Sequence, residues 1–438
     1  MLPVRSSKGC RCAVSLSLNT PDWNALSCPP GSVVALRLAP TVPSVNLLLA
    51  TINSGRIAFP VSPRFPDSYL HEILNDLGCT TLLETPPSEA SEPRKAPRLS
   101  GALAATLPHT PSILVLTSGS SGPPKAAALS MENLHAAARA ANANMPLGPG
   151  DGWLLSLPLF HVAGLGVVFR CLDSGATLIY PEPGLPLLER LRQPGVTHVS
   201  LVATQLYRLL QEPGGADTLR NLKGILCGGS ACPPALLDHA AQEALPLCMS
   251  YGMTETAAQC CATRTGEGRE AWQTSGRPLT PDTLRISDDT MIEVRGDALF
   301  LGYWKHGALD RPLTPDGWFR TGDLGRSDAA GRLIITGRAS NRFNVGGENV
   351  QPEEIERALL AIPGVQRARV VPQPHPEYVH VPVAFVDPLT DADELGAALR
   401  EHLPPHAIPR RFLPWPHHLE REGEKLSQAT LEAEARME

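Results

Sequence analysis

The chain has 438 residues, enough for two or three domains with cores of their own. Its 42% hydrophobic and 19% charged composition is that of a soluble globular protein, and a net charge of −6 without any block of Lys or Arg speaks against a nucleic-acid-binding surface. Ten cysteines are scattered with no Cys-x-x-Cys pair and no histidine cluster at zinc-ligand spacing, so they read as buried or incidental thiols in a reducing cytoplasm.

Arg5, Lys8 and Arg11 open the chain, but no apolar core with a cleavage site follows, and no signal peptide is expected. The apolar run 33–52 is broken by Arg37, Pro40, Pro43 and Asn46. It predicts a buried strand and then a core helix, not a membrane span, and a cytoplasmic location is expected. Short apolar runs predict strands at 33–38, 57–61, 113–116, 152–157, 199–202 and 224–226. Helical patterns lie between them at 45–53, 68–77, 185–192 and 205–211. This alternation predicts an α/β architecture with mainly parallel strands. Residues 86–100 read as a polar surface linker.

Between the strand at 113–116 and an Ala-rich helix at 131–143, with Ser130 as its N-cap, runs Thr117-Ser118-Gly119-Ser120-Ser121-Gly122-Pro123-Pro124-Lys125. Small residues let the backbone approach a polyphosphate, hydroxyls donate to its oxygens, and Lys125 adds a mobile positive charge. The order read here is strand, phosphate-type loop, helix. It is not a Walker A loop, which needs Gly-Lys-Ser/Thr. The last hundred residues change character, with a strand at 332–336 and a loop carrying Gly346 and Gly347. Pro352 then opens a helix whose first turn holds Glu353 and Glu354. Strands at 370–371 and 381–386 and a helix at 393–403 complete a small α+β unit, with its boundary near 338–341.

Further motifs carry chemistry. Gly228-Gly229-Ser230 ends a strand and lets a flat base pack against bare backbone. Tyr251-Gly252-Met253-Thr254-Glu255 offers an aromatic face, a hydroxyl for a phosphate and a carboxylate for Mg²⁺. Asp323, in Gly317-Trp318-Phe319-Arg320-Thr321-Gly322-Asp323, is an acid able to accept bonds from two ribose hydroxyls, and Gly337-Arg338 brings a cation nearby. Gly346-Gly347-Glu348 precedes Pro352-Glu353-Glu354-Ile355-Glu356, and Gly423-Glu424-Lys425 presents a late lysine.

In this order, from about Val33 to Lys425, the segments resemble the core motifs of the adenylate-forming acyl-CoA synthetase (AMP-binding) superfamily. Residues 153–164 and 200–210, together with the short length, are similar to its 2-succinylbenzoate–CoA ligases of menaquinone synthesis. The resemblance implies an α/β fold: a large N-terminal adenylation domain of mixed sheets and packed helices over 1–339, and a small mobile α+β domain over 340–438. It implies a carboxylate attacking the α-phosphorus of ATP to give an acyl-adenylate, which coenzyme A then converts to a thioester.

By matching positions, Thr117, Ser118, Gly119, Ser120, Ser121, Gly122 and Lys125 would hold the β- and γ-phosphates. Glu255 would bind Mg²⁺ and Thr254 would touch the α-phosphate. Gly228, Gly229, Ser230, Tyr251 and Gly252 would surround the adenine, and Asp323 and Arg338 would grip the ribose. Lys425 would bridge the attacking carboxylate and the α-phosphate. Rotation about Ser340 would then withdraw it and bring Gly346 and Gly347 to the thioester half. Where the family most often has Gly-Lys, Glu424 intervenes, and Ser340 stands where Asp or Lys is usual. Against many relatives the chain begins late, so an early helix is expected to be missing or replaced.

For 2-succinylbenzoate, the aryl carboxylate needs a cation or several donors once buried. Arg170, within the apolar stretch 166–172, is read as that cation; its alternative is a structural arginine. His161 matches the gate beside the acyl pocket, and Thr204 is a further pocket candidate. A ligase for another aryl or medium-chain acid, a carrier-protein-loading adenylation enzyme and a non-catalytic binding relative remain as alternatives. Expected partners are a carboxylic acid, ATP and coenzyme A, with no nucleic acid and no membrane span; a homo-oligomer is left open.

Overall fold

The computed structural model of the chain describes residues 21, 23, 26, 28–65, 67–84, 109–117, 125–229, 232–346, 348–420 and 426–437. Among them, two seven-stranded sheets form the large part of the molecule. The first runs, in spatial order, Ala308–Asp310, Gly302–Lys305, Ala126–Leu129, Ile113–Leu116, Ile57–Val61, Val33–Arg37 and Thr81–Glu84. The second runs Arg277–Pro278, Cys261–Ala262, Leu247–Tyr251, Gly224–Cys227, His198–Leu201, Gly152–Leu154 and Thr177–Ile179. Both are parallel at one side and turn antiparallel at the other. The expected alternation is present, and the sheets are mixed.

Burial explains why these runs become strands. Val34 and Leu36 face one core while Val33 and Ala35 face another, and all are enclosed. A central strand covered on both faces reads as an unbroken apolar run. Each Val or Leu so enclosed contributes about 1.5–3 kcal/mol relative to exposure. The helices Met131–Asn144 and Val162–Ser174 share the first core with strands of both large sheets, around the fully buried Trp153.

The loop at 117–125 does not lead straight into the helix. Ala126–Leu129 is a strand, antiparallel to Ile113–Leu116 with Leu116 opposite Ala126. Ala-Ala-Ala-Leu has little strand preference of its own; complete burial between packed layers decides the matter. The helix then begins at the expected cap. Asn133 N donates to Ser130 Oγ at 3.1 Å, and Ser130 N donates to Asn133 Oδ1 at 2.9 Å.

Of an antiparallel four-stranded sheet, Leu284–Ile286, Met291–Val294, Phe319–Ser327 and Leu333–Arg338, only the last strand was expected from the sequence, at 332–336. The other three strands carry charged residues among the apolar ones. Buried Glu293 accepts from Arg285 at 2.7 Å and from Arg320 at 3.2 Å, which hides the apolar pattern. After Arg338 a 3-10 turn, Ala339–Asn341, leads into a five-stranded sheet. This sheet comprises Glu348–Val350, Phe343–Val345, Val379–Asp387, Arg367–His375 and Arg411–Pro414, flanked by the helices Pro352–Leu360, Ala392–Arg400 and Gln428–Met437. Among the described residues no helix is long and apolar enough to cross a membrane.

Candidate active site

Most of the motifs gather where strands end, the place where open α/β sheets leave a crevice for ligands. Thr117 and Lys125 frame the neck of the phosphate-type loop, with Thr117 N donating to Lys125 O at 2.8 Å. Ser118, Gly119, Ser120, Ser121, Gly122, Ser230, Gly347 and Lys425 lie outside the described residues. Gly228 follows Gly224–Cys227, and Tyr251 ends the neighbouring Leu247–Tyr251. A Cβ on Gly228 would come within 2.6 Å of Ser250 Oγ, so a side chain there would push these two strand ends apart.

The segment 251–259 is folded tightly. A Cβ on Gly252 would stand 1.6 Å from Ala258 O, a contact only glycine avoids. Thr254–Thr256 forms one 3-10 turn, and Ala257 and Ala258 follow with φ of 50° and 114°. Left-handed alanines cost on the order of 1–3 kcal/mol each and persist where the surroundings enforce them, commonly at ligand sites. The hydroxyl of half-buried Thr254 makes no hydrogen bond within the described residues.

Tyr251 Oη donates to Asp323 Oδ2 at 2.7 Å, and Arg338 Nη1 lies 3.5 Å from Asp323 Oδ1. Burial raises the Asp323 pKa above the ordinary carboxylate range, while Arg338 and then Tyr251 pull it down. Burial first, and then the Asp323 charge, push the Tyr251 phenol well above its ordinary value, so it stays a donor. Each carboxylate oxygen takes more than one hydrogen bond, so Asp323 retains capacity for ribose hydroxyls.

Glu255 is 9% exposed, and its Oε1 accepts from Tyr303 Oη at 2.6 Å. Its Oε2 has no partner among the described residues, and no group of three or more His, Cys, Asp or Glu there could hold a metal by itself. One carboxylate with an open oxygen fits Mg²⁺, which keeps waters and shares its shell with substrate phosphates. The Lys125 ammonium lies 4.8 Å from the centroid of the Tyr303 ring. Tyr303 was missed in the sequence, because an aromatic residue in a strand reads first as core.

Arg170 is buried, with its guanidinium 4.2 Å over the Trp153 ring. Nε donates to Asn142 Oδ1 at 2.9 Å, and Nη2 donates to the carbonyls of Ala141 and Met145 at 3.2 and 3.0 Å. Nη1 has only a long bond, 3.4 Å, to Gln259 Oε1. No carboxylate among the described residues pairs with this cation, and burial lowers its pKa to about 10. It therefore remains charged at neutral pH, anchored at one end and open at Nη1. His161, exposed at the N-cap of Val162–Ser174, has its ring 4.6 Å from that of Phe160. Thr204 is exposed in the first turn of Ala203–Gln211. Ser340 lies in the turn between the last two sheets, and Gly346, with φ of 61°, packs against Tyr378 of the small sheet unit.

The AMP-binding enzyme family matches residues 24–304, and the AMP-binding enzyme C-terminal domain matches residues 354–422. The 2-succinylbenzoate–CoA ligase of Salmonella typhimurium is 36% identical over 408 residues, covering 92% of this chain and 87% of the relative. That of Escherichia coli is 35% identical over 406 residues, with 92% and 87% covered. A variant of E. coli MenE with bound OSB-AMS superposes with a TM-score of 0.79 at 32% identity, covering 95% of this chain and 90% of the other. The o-succinylbenzoate coenzyme A synthetase of Bacillus subtilis in complex with ATP and magnesium ion gives 0.77 at 25% identity, with 93% and 90% covered. The likeness spans both the large sheets and the small C-terminal unit, and the chain belongs to the AMP-binding enzyme family.

Proposed function

We propose that this chain is an ATP- and Mg²⁺-dependent 2-succinylbenzoate–CoA ligase of menaquinone synthesis. The observation that carries the reading is the segment 251–259, which links a nucleotide end to an acyl end. Tyr251 holds Asp323, Thr254 and Glu255 stand open in the middle, and Gln259 meets the buried cation Arg170. The relatives that cover most of the chain carry the same activity in their names.

The obstacle to the first step is charge, since a carboxylate must approach a polyphosphate. Two like charges 4 Å apart repel by about 4 kcal/mol at an effective dielectric near 20, roughly three decades in rate. Thr117–Lys125 surrounds the β- and γ-phosphates, and Thr254 donates to the α-phosphate. Glu255 would hold Mg²⁺, which when bound would supply compensating charge to the phosphate oxygens. Asp323 and Arg338 fix the ribose, with Gly228, Gly229, Ser230, Tyr251 and Gly252 around the adenine. The succinyl carboxylate attacks the α-phosphorus and pyrophosphate leaves, with Lys425 between the reacting groups. Residues 340–438 then rotate about Ser340 against 1–339, and Gly346 and Gly347 reach the half-reaction in which coenzyme A expels AMP. The cytoplasm is the corresponding location.

At the acyl end, the open Nη1 of Arg170 receives the aryl carboxylate, with His161 and Thr204 at the pocket mouth. Arg170→Ala should lower kcat/KM for 2-succinylbenzoate about a hundredfold, the scale of a lost buried ion pair. For 4-phenylbutyrate, which lacks the second carboxylate, it should change only a few-fold. An equal fall for both acids would assign Arg170 to the scaffold alone.

A further inference from the structure

Gly302–Lys305 is hydrogen-bonded antiparallel to Ala126–Leu129, with Tyr303 opposite Ala127 and Trp304 opposite Ala126. That register sets Lys125 diagonally from Tyr303 on the same face, within reach of a long side chain. Trp304 points the other way, and its Nε1 donates to Leu77 O at 3.3 Å. A one-residue slip would exchange the two aromatics between faces, so the Trp304 anchor also fixes Tyr303. Phe300, just upstream, packs edge-on against Tyr303 with centroids 4.9 Å apart, and its N donates to Glu255 O at 2.8 Å. The same short stretch therefore holds Glu255 twice, by its backbone through Phe300 and by its carboxylate through Tyr303.

We propose that Tyr303 is a positioning residue for the adenylation step: its phenol orients Glu255 toward the metal, and its ring holds Lys125 apart from that carboxylate at the neck of the phosphate loop. The inference rests on the roles given above to Glu255 and Lys125. Those roles conflict electrostatically, because Lys125 must face phosphate oxygens while Glu255 must face a cation. Both groups meet the one Tyr303 side chain, and a direct lysine–carboxylate pair would withdraw both from the nucleotide. Tyr303 satisfies each separately, with an O–H for Oε1 and a π face for the ammonium. Glu255 Oε2 is left open as a result.

The two halves of the role separate by substitution. Tyr303→Phe keeps the ring and removes the hydroxyl; Tyr303→Leu removes both. ATP binding is measured by calorimetry on the full chain across a Mg²⁺ series with no acid present, alongside pyrophosphate release with 2-succinylbenzoate and thermal melting. For Y303F the half-saturating Mg²⁺ should rise about tenfold, with restoration at high Mg²⁺ and KM for the acid unchanged. Y303L should add a several-fold rise in KM for ATP that Mg²⁺ does not restore. Glu255→Gln serves as the reference for the underlying site. If E255Q loses its Mg²⁺ response while Y303F keeps the parent Mg²⁺ dependence, the role of Tyr303 is refuted and that of Glu255 stands. If E255Q itself binds Mg²⁺ and ATP as the parent does, the metal reading fails and takes this inference with it. Should Y303L fail to fold, Y303F, which lacks a single oxygen, decides.

Discussion

Asp323 concentrates the electrostatic argument at the scale of one residue. Burial raises its folded pKa, so the protonated form is the one that folding favours. Stability from such a group is present below the ordinary carboxylate value of about 3.9 and is lost as pH rises through the folded value. Above the folded value the ionised side chain is held at some expense of stability, a cost that suits the ribose-binding role proposed for it. Asp323→Asn should weaken ATP binding about ten- to hundredfold, the range of one charge-assisted hydrogen bond, without lowering Tm at neutral pH. The acid limb of ATP affinity, above the ordinary carboxylate range in the parent, should vanish in D323N. Calorimetry between about pH 4 and 8 checks both, and an unchanged affinity would remove Asp323 from the ribose site. Asp323, Tyr251 and Glu255 were legible because chemistry-bearing side chains beside glycines stand out in a sequence. Tyr303 and Gln259 were not, since only tertiary pairing brings them to Glu255 and Arg170.

At the scale of elements, the parallel strands were visible because burial on both faces leaves continuous apolar runs. The strand Ala126–Leu129 was invisible because its pairing with Ile113–Leu116 and Gly302–Lys305 overrides a composition that suits a helix. The turn at 251–259 is the element on which the site depends most closely. Gly252→Ala would drive a Cβ into Ala258 O, 1.6 Å away, and force the left-handed Ala257 and Ala258 to shift. A displacement near 1 Å at a reacting group costs about a hundredfold in rate, so G252A should lose at least that in kcat/KM for pyrophosphate release. Near-parent turnover in G252A would mean that this turn does not position Thr254 and Glu255.

Across the whole molecule, the large sheets carry the candidate nucleotide and acyl ends, and among the described residues the small sheet unit meets them through polar contacts. Gln351 Nε2 donates to Arg338 O at 2.9 Å, and Arg357 Nη2 donates to Thr336 O at 3.1 Å. Part-exposed bonds of this kind contribute about 0.5–1.5 kcal/mol each, light enough to be remade during turnover. That suits the proposed rotation about Ser340. The surroundings of Arg170 are the feature least legible from sequence, because only tertiary packing brings Asn142, Met145 and Gln259 to its guanidinium. The most direct measurement is pyrophosphate release with ATP and Mg²⁺ against 2-succinylbenzoate, benzoate, 4-phenylbutyrate and octanoate, followed by detection of the coenzyme A thioester. The account predicts strong preference for 2-succinylbenzoate with its thioester formed. Turnover confined to the mono-acids, or pyrophosphate release without any thioester, would contradict it.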